Sequence, residues 1–378
     1  MTDAQASPSP PDMQRSTRDL GDIQSRLGEW LRRRLGDASD PEVVASSAGA
    51  STGMSSETVL LDATWTEGSE RRSESLVARL APMESDVPVF ASYDLRRQFE
   101  TLRLVEKLTN VPVPKMWWME TDPAPLGSQF FVMSRIEGEV PPDVMPYTFG
   151  DNWLFDSPPS KSRELQDSSV SVLAQLHAVE RPEEVFGFLA FGEPGATALE
   201  RHVAHTKAWY AFAVRDGGRS RLVERCFDWL EGHWPSTEGE TVLSWGDSRI
   251  GNVMYRDYRP VAVLDWEMAG LGPRELDVAW MLFAHRVFEE LAGEFGLPGM
   301  PDFMRAEDVV GAYEQATGAT LRDLEFYCTY AAIQWGIVFM RTGMRQAHFD
   351  GSALPEDLDD LMHHRGALER MAEGRYTV

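Results

Sequence analysis

Between Ser244 and Trp280 the chain reads SWGDSRIGNVMYRDYRPVAVLDWEMAGLGPRELDVAW, and no other stretch constrains it as tightly. Asp247 and Asn252 lie five positions apart, and Asp265 follows at the end of a short apolar run. The segments TVLSW, NVMY and PVAVLDW predict short strands around a loop. A lone aspartate here would read as an ordinary turn residue. In step with an asparagine and a strand-end aspartate, it suits the transfer of a phosphoryl group to a hydroxyl. One carboxylate accepts the proton of the attacking oxygen; an amide oxygen and a second carboxylate hold magnesium against nucleotide phosphates.

At 378 residues the chain is too long for one ordinary core and predicts two domains or lobes. It carries 60 acidic residues against 36 Lys plus Arg, a net charge of −24. That surface repels phosphate backbones and argues against nucleic acid or an anionic membrane as partner. Cys226 and Cys328 fall in apolar, helix-like surroundings and match no metal or redox spacing. No apolar run approaches a membrane span, and MTDAQASPSPPDMQ lacks the regions of a signal peptide. A cytoplasmic protein is the expectation.

Residues 1–16, rich in Ser, Pro and Ala, are expected to form a disordered arm. Leucine and isoleucine at helical spacing predict a helix over 19–36. The runs ETVLLDATW (57–65) and SLVARL (75–80) predict strands separated by a polar turn, TEGSERRSE. A helix follows over 93–108, ended by VPVPK, and QFFVMSRI (129–136) predicts a further strand. Beyond that the periodicity turns helical, near 165–179, 200–231, 274–295, 305–317 and 321–347. The fold class expected is α+β, with a small β-rich lobe at 17–135 and a larger, mostly helical lobe at 136–378.

Residues 244–280, and the order of elements from about 40 to 350, resemble the aminoglycoside phosphotransferase family. Its members are small-molecule kinases that share a protein-kinase-like fold with the choline kinases. The resemblance implies ATP and Mg²⁺ as cofactors and a small hydroxylated molecule, aminoglycosides among the candidates, as acceptor. It makes Asp247 the general base, with Asn252 and Asp265 as magnesium ligands. Arg249 sits where protein kinases place a basic residue near the transferring phosphoryl group, and a surface ion pair is the alternative for it. The turn SSAGASTGMSSET (46–58) resembles the nucleotide-binding loop, with Ser55 and Ser56 as donors. Arg79 takes the strand position of the phosphate-binding lysine, and Glu100 on the next helix would be its ion-pair partner, a solvated helix-face residue being the alternative for Glu100. Main-chain atoms around Met133 to Arg135 would meet the adenine edge. Asp277 resembles an aspartate that braces the catalytic segment.

One position departs from the family pattern. Trp245 stands where the family usually has histidine; it can pack and donate one N–H but cannot accept a hydrogen bond. An altered loop scaffold with retained chemistry is expected. A non-catalytic, pseudokinase-like nucleotide-binding protein stays open as the alternative. A metal-dependent hydrolase using Asp247 and Asp265 would leave the Asn252 spacing unexplained. His202, His205, His363 and His364 lack a zinc-type partner at suitable spacing and read as helix-surface residues.

Overall fold

The computed structural model describes residues 18–47 and 56–378. The arm expected at 1–16 and most of the 46–58 turn, Ser55 included, lie outside the described residues. Helix α1 (Leu20–Leu35) starts at Asp19, whose carboxylate accepts from the Asp22 N–H at 2.9 Å, and ends at Gly36. Its stripe of Ile23, Leu27, Trp30 and Leu31 packs against one face of a five-stranded antiparallel sheet. The strands are β1 (Glu42–Ser47), β2 (Glu57–Glu67), β3 (Glu70–Leu80), β4 (Met116–Glu120) and β5 (Phe130–Ser134), in the order β1-β2-β3-β5-β4. Helix α2 (Leu95–Leu108) covers the other face, with Phe99 against Phe131. Alternation sorts β3: Leu76, Ala78 and Leu80 join the α1 cluster, which leaves Val77 and Arg79 on the α2 side.

The polar turn expected at 66–74 is much shorter, because β2 and β3 run on to Glu67 and Glu70. Arg71, Arg72 and Ser73 stay exposed and Glu74 is half-buried, yet all four pair in register, with Thr66, Trp65, Thr64 and Ala63. An antiparallel ribbon is continued by backbone bonds, so polar side chains do not end it while both can face water. Strands β1 and β4 were not anticipated: neither EVVASS nor MWWME has a clear alternation.

The rest is mostly helical: α3 (Pro159–His177), α4 (Pro182–Val185), α5 (Ala198–Gly217), α6 (Arg221–Gly232), α7 (Glu275–Glu294), α8 (Ala306–Thr317), α9 (Leu324–Asp350) and α10 (Arg365–Ala372). The stretch expected near 200–231 is two helices, broken at Gly218 (φ 103°) and restarted by the Ser220 cap. α7 and α9 pack on each other and are buried over most of their surfaces, which explains their lack of a polar face. His202 on α5 and His364 beyond α9 are buried, not on the surface as expected; His205 and His363 keep contact with water. Cys226 and Cys328 are buried thiols whose pKa values burial pushes up. Among the described residues no helix is long and apolar enough to cross a membrane.

Four short strands frame the 244–280 segment: β6 (Thr241–Ser244), β7 (Val253–Arg256), β8 (Arg259–Val263) and β9 (Gly270–Pro273). β6 pairs with β9 and β7 with β8, with Ser244 opposite Gly270 and Val253 opposite Val263. Both connecting segments, 245–252 and 264–269, therefore span the same two ladders and lie side by side. That topology brings Asn252 toward Asp265, and the Leu264 N–H donates to the Asn252 carbonyl at 2.9 Å.

Candidate active site

The loop that carries Asp247 is held from behind by Asp277, in the first turn of α7. One Asp277 oxygen accepts from the Ser244 hydroxyl and the Gly246 N–H, each at 2.9 Å. The other accepts from the Trp245 N–H at 2.8 Å and bonds His177 Nε2 at 2.9 Å. His177 Nδ1 in turn bonds the Tyr313 hydroxyl at 2.6 Å. Burial alone would raise the Asp277 carboxyl, but His177 and the two loop amides hold it below its usual range. Gly246 sits at φ 90°, and a Cβ there would collide with the Met268 carbonyl, so the loop needs glycine at that point. The bracing role expected of Asp277 is the role it has.

Trp245 is fully buried, and its indole N–H donates to the Leu264 carbonyl at 2.8 Å. It thus ties the 245–252 loop to the residue before Asp265, through the one donor it has. The polar link to the helical core comes from His177, on α3. The altered scaffold expected from this position is therefore complete.

Asp247 Oδ1 accepts from Trp280 Nε1 at 2.7 Å and Arg249 Nε at 3.0 Å. Arg249 is also paired with Asp143, from the segment after β5. Burial alone would weaken the Arg249 cation, but Asp143, then Asp247 and Asp265, push its pKa up. Gly251 makes room for this pair, since a Cβ there would enter the Asp143 carboxylate. Arg249 is a locked cation inside the loop, which sides with the ion-pair alternative over an extended phosphate contact.

Asn252 is buried and donates from Nδ2 to the Asp247 carbonyl at 3.1 Å, leaving its amide oxygen as the free end. Asp265 has a left-handed backbone (φ 58°), a conformation that non-glycine residues hold only when the surroundings impose it. Burial, and then the neighbouring Glu267, push its carboxyl up to about 7. The Arg79 guanidinium lies 3.6 Å from Asp265. A crowded buried carboxylate beside a free amide oxygen is a donor set that fits a hard divalent cation. Among the described residues no cluster of three His, Cys, Asp or Glu side chains forms a metal site of its own.

Arg79 does not pair with Glu100. Its guanidinium bonds Glu267 Oε1 at 2.9 Å and Thr58 Oγ1 at 3.1 Å. Glu100 pairs with Arg103 on its own helix, at 3.4 Å. The reason is helical phase: buried Gln98 points toward the centre of the molecule, and residue 100 is some 200° round the helix from it. Ser56 donates to the same Glu267 oxygen at 2.7 Å, so Arg79 and Ser56 of the first lobe converge on the segment after Asp265. Of the adenine-edge positions, the Ser134 and Arg135 amides are already committed to the Lys115 and Ser75 carbonyls, each at 2.9 Å. The Arg135 side chain bonds Asp62 and Ser75 at 2.8 Å, and Met133 lies within β5, opposite Val77 and Met116. Among the described residues, the amides of 136–138 make no backbone hydrogen bond and are the better candidates.

Glu267, Asp143, His177 and Trp280 were not singled out from the sequence. Only Glu267 carried a local signal, a second carboxylate two positions after Asp265. The others reach the loop from 33 to 106 positions away, where no spacing rule operates.

Solved structures with this fold include a Ralstonia eutropha protein assigned to the aminoglycoside phosphotransferases (TM-score 0.64, 21% identity, 93% of this chain and 97% of that one). A second is an aminoglycoside phosphotransferase in ternary complex with ADP and hygromycin B (TM-score 0.52, 15% identity, 93% and 99%). Among curated proteins, human acyl-CoA dehydrogenase family member 11 is 25% identical over 269 residues, which is 68% of this chain and 32% of that protein. The chain spans about a third or less of the curated relatives it matches. The sequence profile of the phosphotransferase enzyme family matches residues 48–324, most of the chain, and the chain belongs to that family.

Proposed function

We propose that this protein transfers the γ-phosphoryl group of ATP to a hydroxyl of a small molecule, with magnesium. The observation that carries this reading is the convergence of Asp247, Asn252 and Asp265 on adjacent segments, with Arg79 reaching Asp265 from the other lobe. The acceptor oxygen forms the new bond to the γ-phosphorus while the bond from that phosphorus to the bridging oxygen breaks, and its electron pair leaves with ADP. The acceptor proton passes to Asp247, whose Oδ2 is the oxygen not engaged by Trp280 or Arg249. Asn252 Oδ1 and the Asp265 carboxylate would hold the magnesium, which when bound neutralises phosphate charge. Arg79 supplies a fixed cation to the phosphates, oriented by Glu267. Trp280 and Arg249 hold Asp247 aimed. Ser55 and Ser56 remain donors for the phosphates in this reading, and Met133 to Gly138 the adenine-facing segment.

The test is ATP turnover against a panel of alcohols with Asp247→Asn as control. The panel includes hygromycin B, because a structural relative holds it. Hydroxylated acyl thioesters join it, because the curated relatives are acyl-CoA dehydrogenase family proteins. Turnover by the parent, reduced about 10²–10⁴-fold in Asp247→Asn with Mg-ATP binding retained, is the expected outcome. Equal activity in both proteins would remove Asp247 as base. Binding without turnover of any acceptor would favour the nucleotide-binding alternative.

A further inference from the structure

A cavity of about 270 Å³ is lined in part by Trp280, whose indole N–H donates to Asp247. It is bounded by α2, α5, α7, α9 and the segment after Asp265, and Gly246 forms part of its wall. For scale, an engineered cavity of about 150 Å³ holds a benzene molecule. Phe90 stacks on Trp209 with centroids 4.8 Å apart, and Trp266, Trp280 and Tyr330 line further walls. Trp209 is fixed by donating to the Val89 carbonyl at 2.9 Å.

Of the carboxylates that line this cavity, Glu193 bonds His205 at 2.8 Å, Asp94 caps α2, and Glu267 takes Arg79 and Ser56 on Oε1 alone, its Oε2 having no partner among the described residues. Gln98 and Gln334 differ. They line opposite walls, from α2 and α9, at 7% and 9% exposure, and neither side-chain amide has a hydrogen-bonding partner among the described residues. Buried amides without partners are costly and mark places where a ligand completes the bonding.

We infer that this cavity is the acceptor site, and that it takes an uncharged alcohol with an apolar, ring-sized body and a carbonyl or amide group. Gln98 and Gln334 bond that group, the aromatic walls hold the body, and the alcohol emerges beside Gly246 at Asp247. A polycation is disfavoured, because the charge of Glu267 is already met by Arg79 and Asp94 already caps α2. This inference rests on the kinase reading above and narrows its substrate class.

The probes are N-benzoylethanolamine, 2-phenylethanol, which keeps the ring and alcohol but lacks the amide, and the polycation kanamycin. Binding is read by saturation-transfer NMR and calorimetry with Mg-ATP analogue present, and turnover by ADP release. Two variants outside the catalytic set are compared: Ala208→Trp, which fills the exposed mouth from α5, and Gln334→Leu. Ala208→Trp should weaken N-benzoylethanolamine about tenfold or more while nucleotide affinity stays unchanged. Gln334→Leu should weaken it about three- to tenfold and leave 2-phenylethanol unaffected. Absence of neutral-probe binding, binding indifferent to Ala208→Trp, or preference for kanamycin would each overturn the inference. Neutral-probe binding that obeys both variants without any turnover would uphold the pocket and overturn the kinase reading instead.

Discussion

Asp277→Asn offers the sharpest test of how the 245–252 loop is held. The change is nearly isosteric, so packing is kept and only the hydrogen bonding changes. In the parent, four donors converge on two carboxylate oxygens, all at 2.8–2.9 Å. An asparagine offers one accepting oxygen and one donating nitrogen. If the nitrogen faces Ser244 and Gly246, the serine hydroxyl can rotate to accept, but the Gly246 N–H is orphaned. If it faces Trp245 and His177, the imidazole can change tautomer, but the Trp245 N–H is orphaned. Either way one buried backbone donor beside Asp247 loses its partner, at about 1–3 kcal/mol, and three charge-assisted bonds become neutral ones, at about 1 kcal/mol each. The gross cost is about 4–6 kcal/mol. Asparagine avoids the burial of a carboxylate, which offsets part of this and leaves a net loss of about 2–4 kcal/mol. Urea unfolding at pH 7 measures it. The carboxyl is held below its usual range in the fold, so its contribution is present above the unfolded pKa and is lost as pH falls through the folded one. The gap between variant and parent should therefore close on acidification below about pH 4. A variant within about 0.5 kcal/mol of the parent at pH 7, or a gap that widens in acid, would refute the account.

Arg79→Ala should weaken Mg-ATP about ten- to a hundredfold by calorimetry, through loss of a charge-assisted contact of about 1.5–3 kcal/mol; an unchanged affinity would place the phosphates elsewhere. Asn252→Ala and Asp265→Ala should each abolish most of the difference between ATP affinity with magnesium and with EDTA, while the far-ultraviolet dichroism stays unchanged. His202, His285 and His364 are held neutral by burial, with pKa values lowered to about 4, 3 and 4. Stability should accordingly be full above about pH 6.5 and fall as the unfolded state alone takes up protons, by up to about 3–5 kcal/mol per ring. His364→Gln, which can retain the bond to the Ala332 carbonyl, should move the acid midpoint to lower pH; a midpoint unmoved or raised would remove this ring from the account.

What the sequence determined by itself is the local chemistry of residues 244–280. Asp247 and Asn252, five positions apart, sit on one loop, and a short apolar run leads into Asp265, so the identity of these groups and their approximate order in space follow from chain geometry. Helical periodicity likewise located α1, α2, α3, α7, α8 and α9, because a 3.6-residue repeat of buried positions is written in consecutive residues. Strands with polar, exposed faces, such as the outer half of β3, left no such trace. Partners from distant segments left none either. Arg79 found Glu267 instead of Glu100, Arg249 found Asp143, and the support for the Trp245 loop came from His177 on another helix. Those choices depend on which faces the lobes turn toward each other and on which buried charges then require neutralisation. Only the packed tertiary structure supplies that information, since electrostatic and hydrogen-bonding demand in a low-dielectric interior is set by neighbours in space and not by neighbours in the chain.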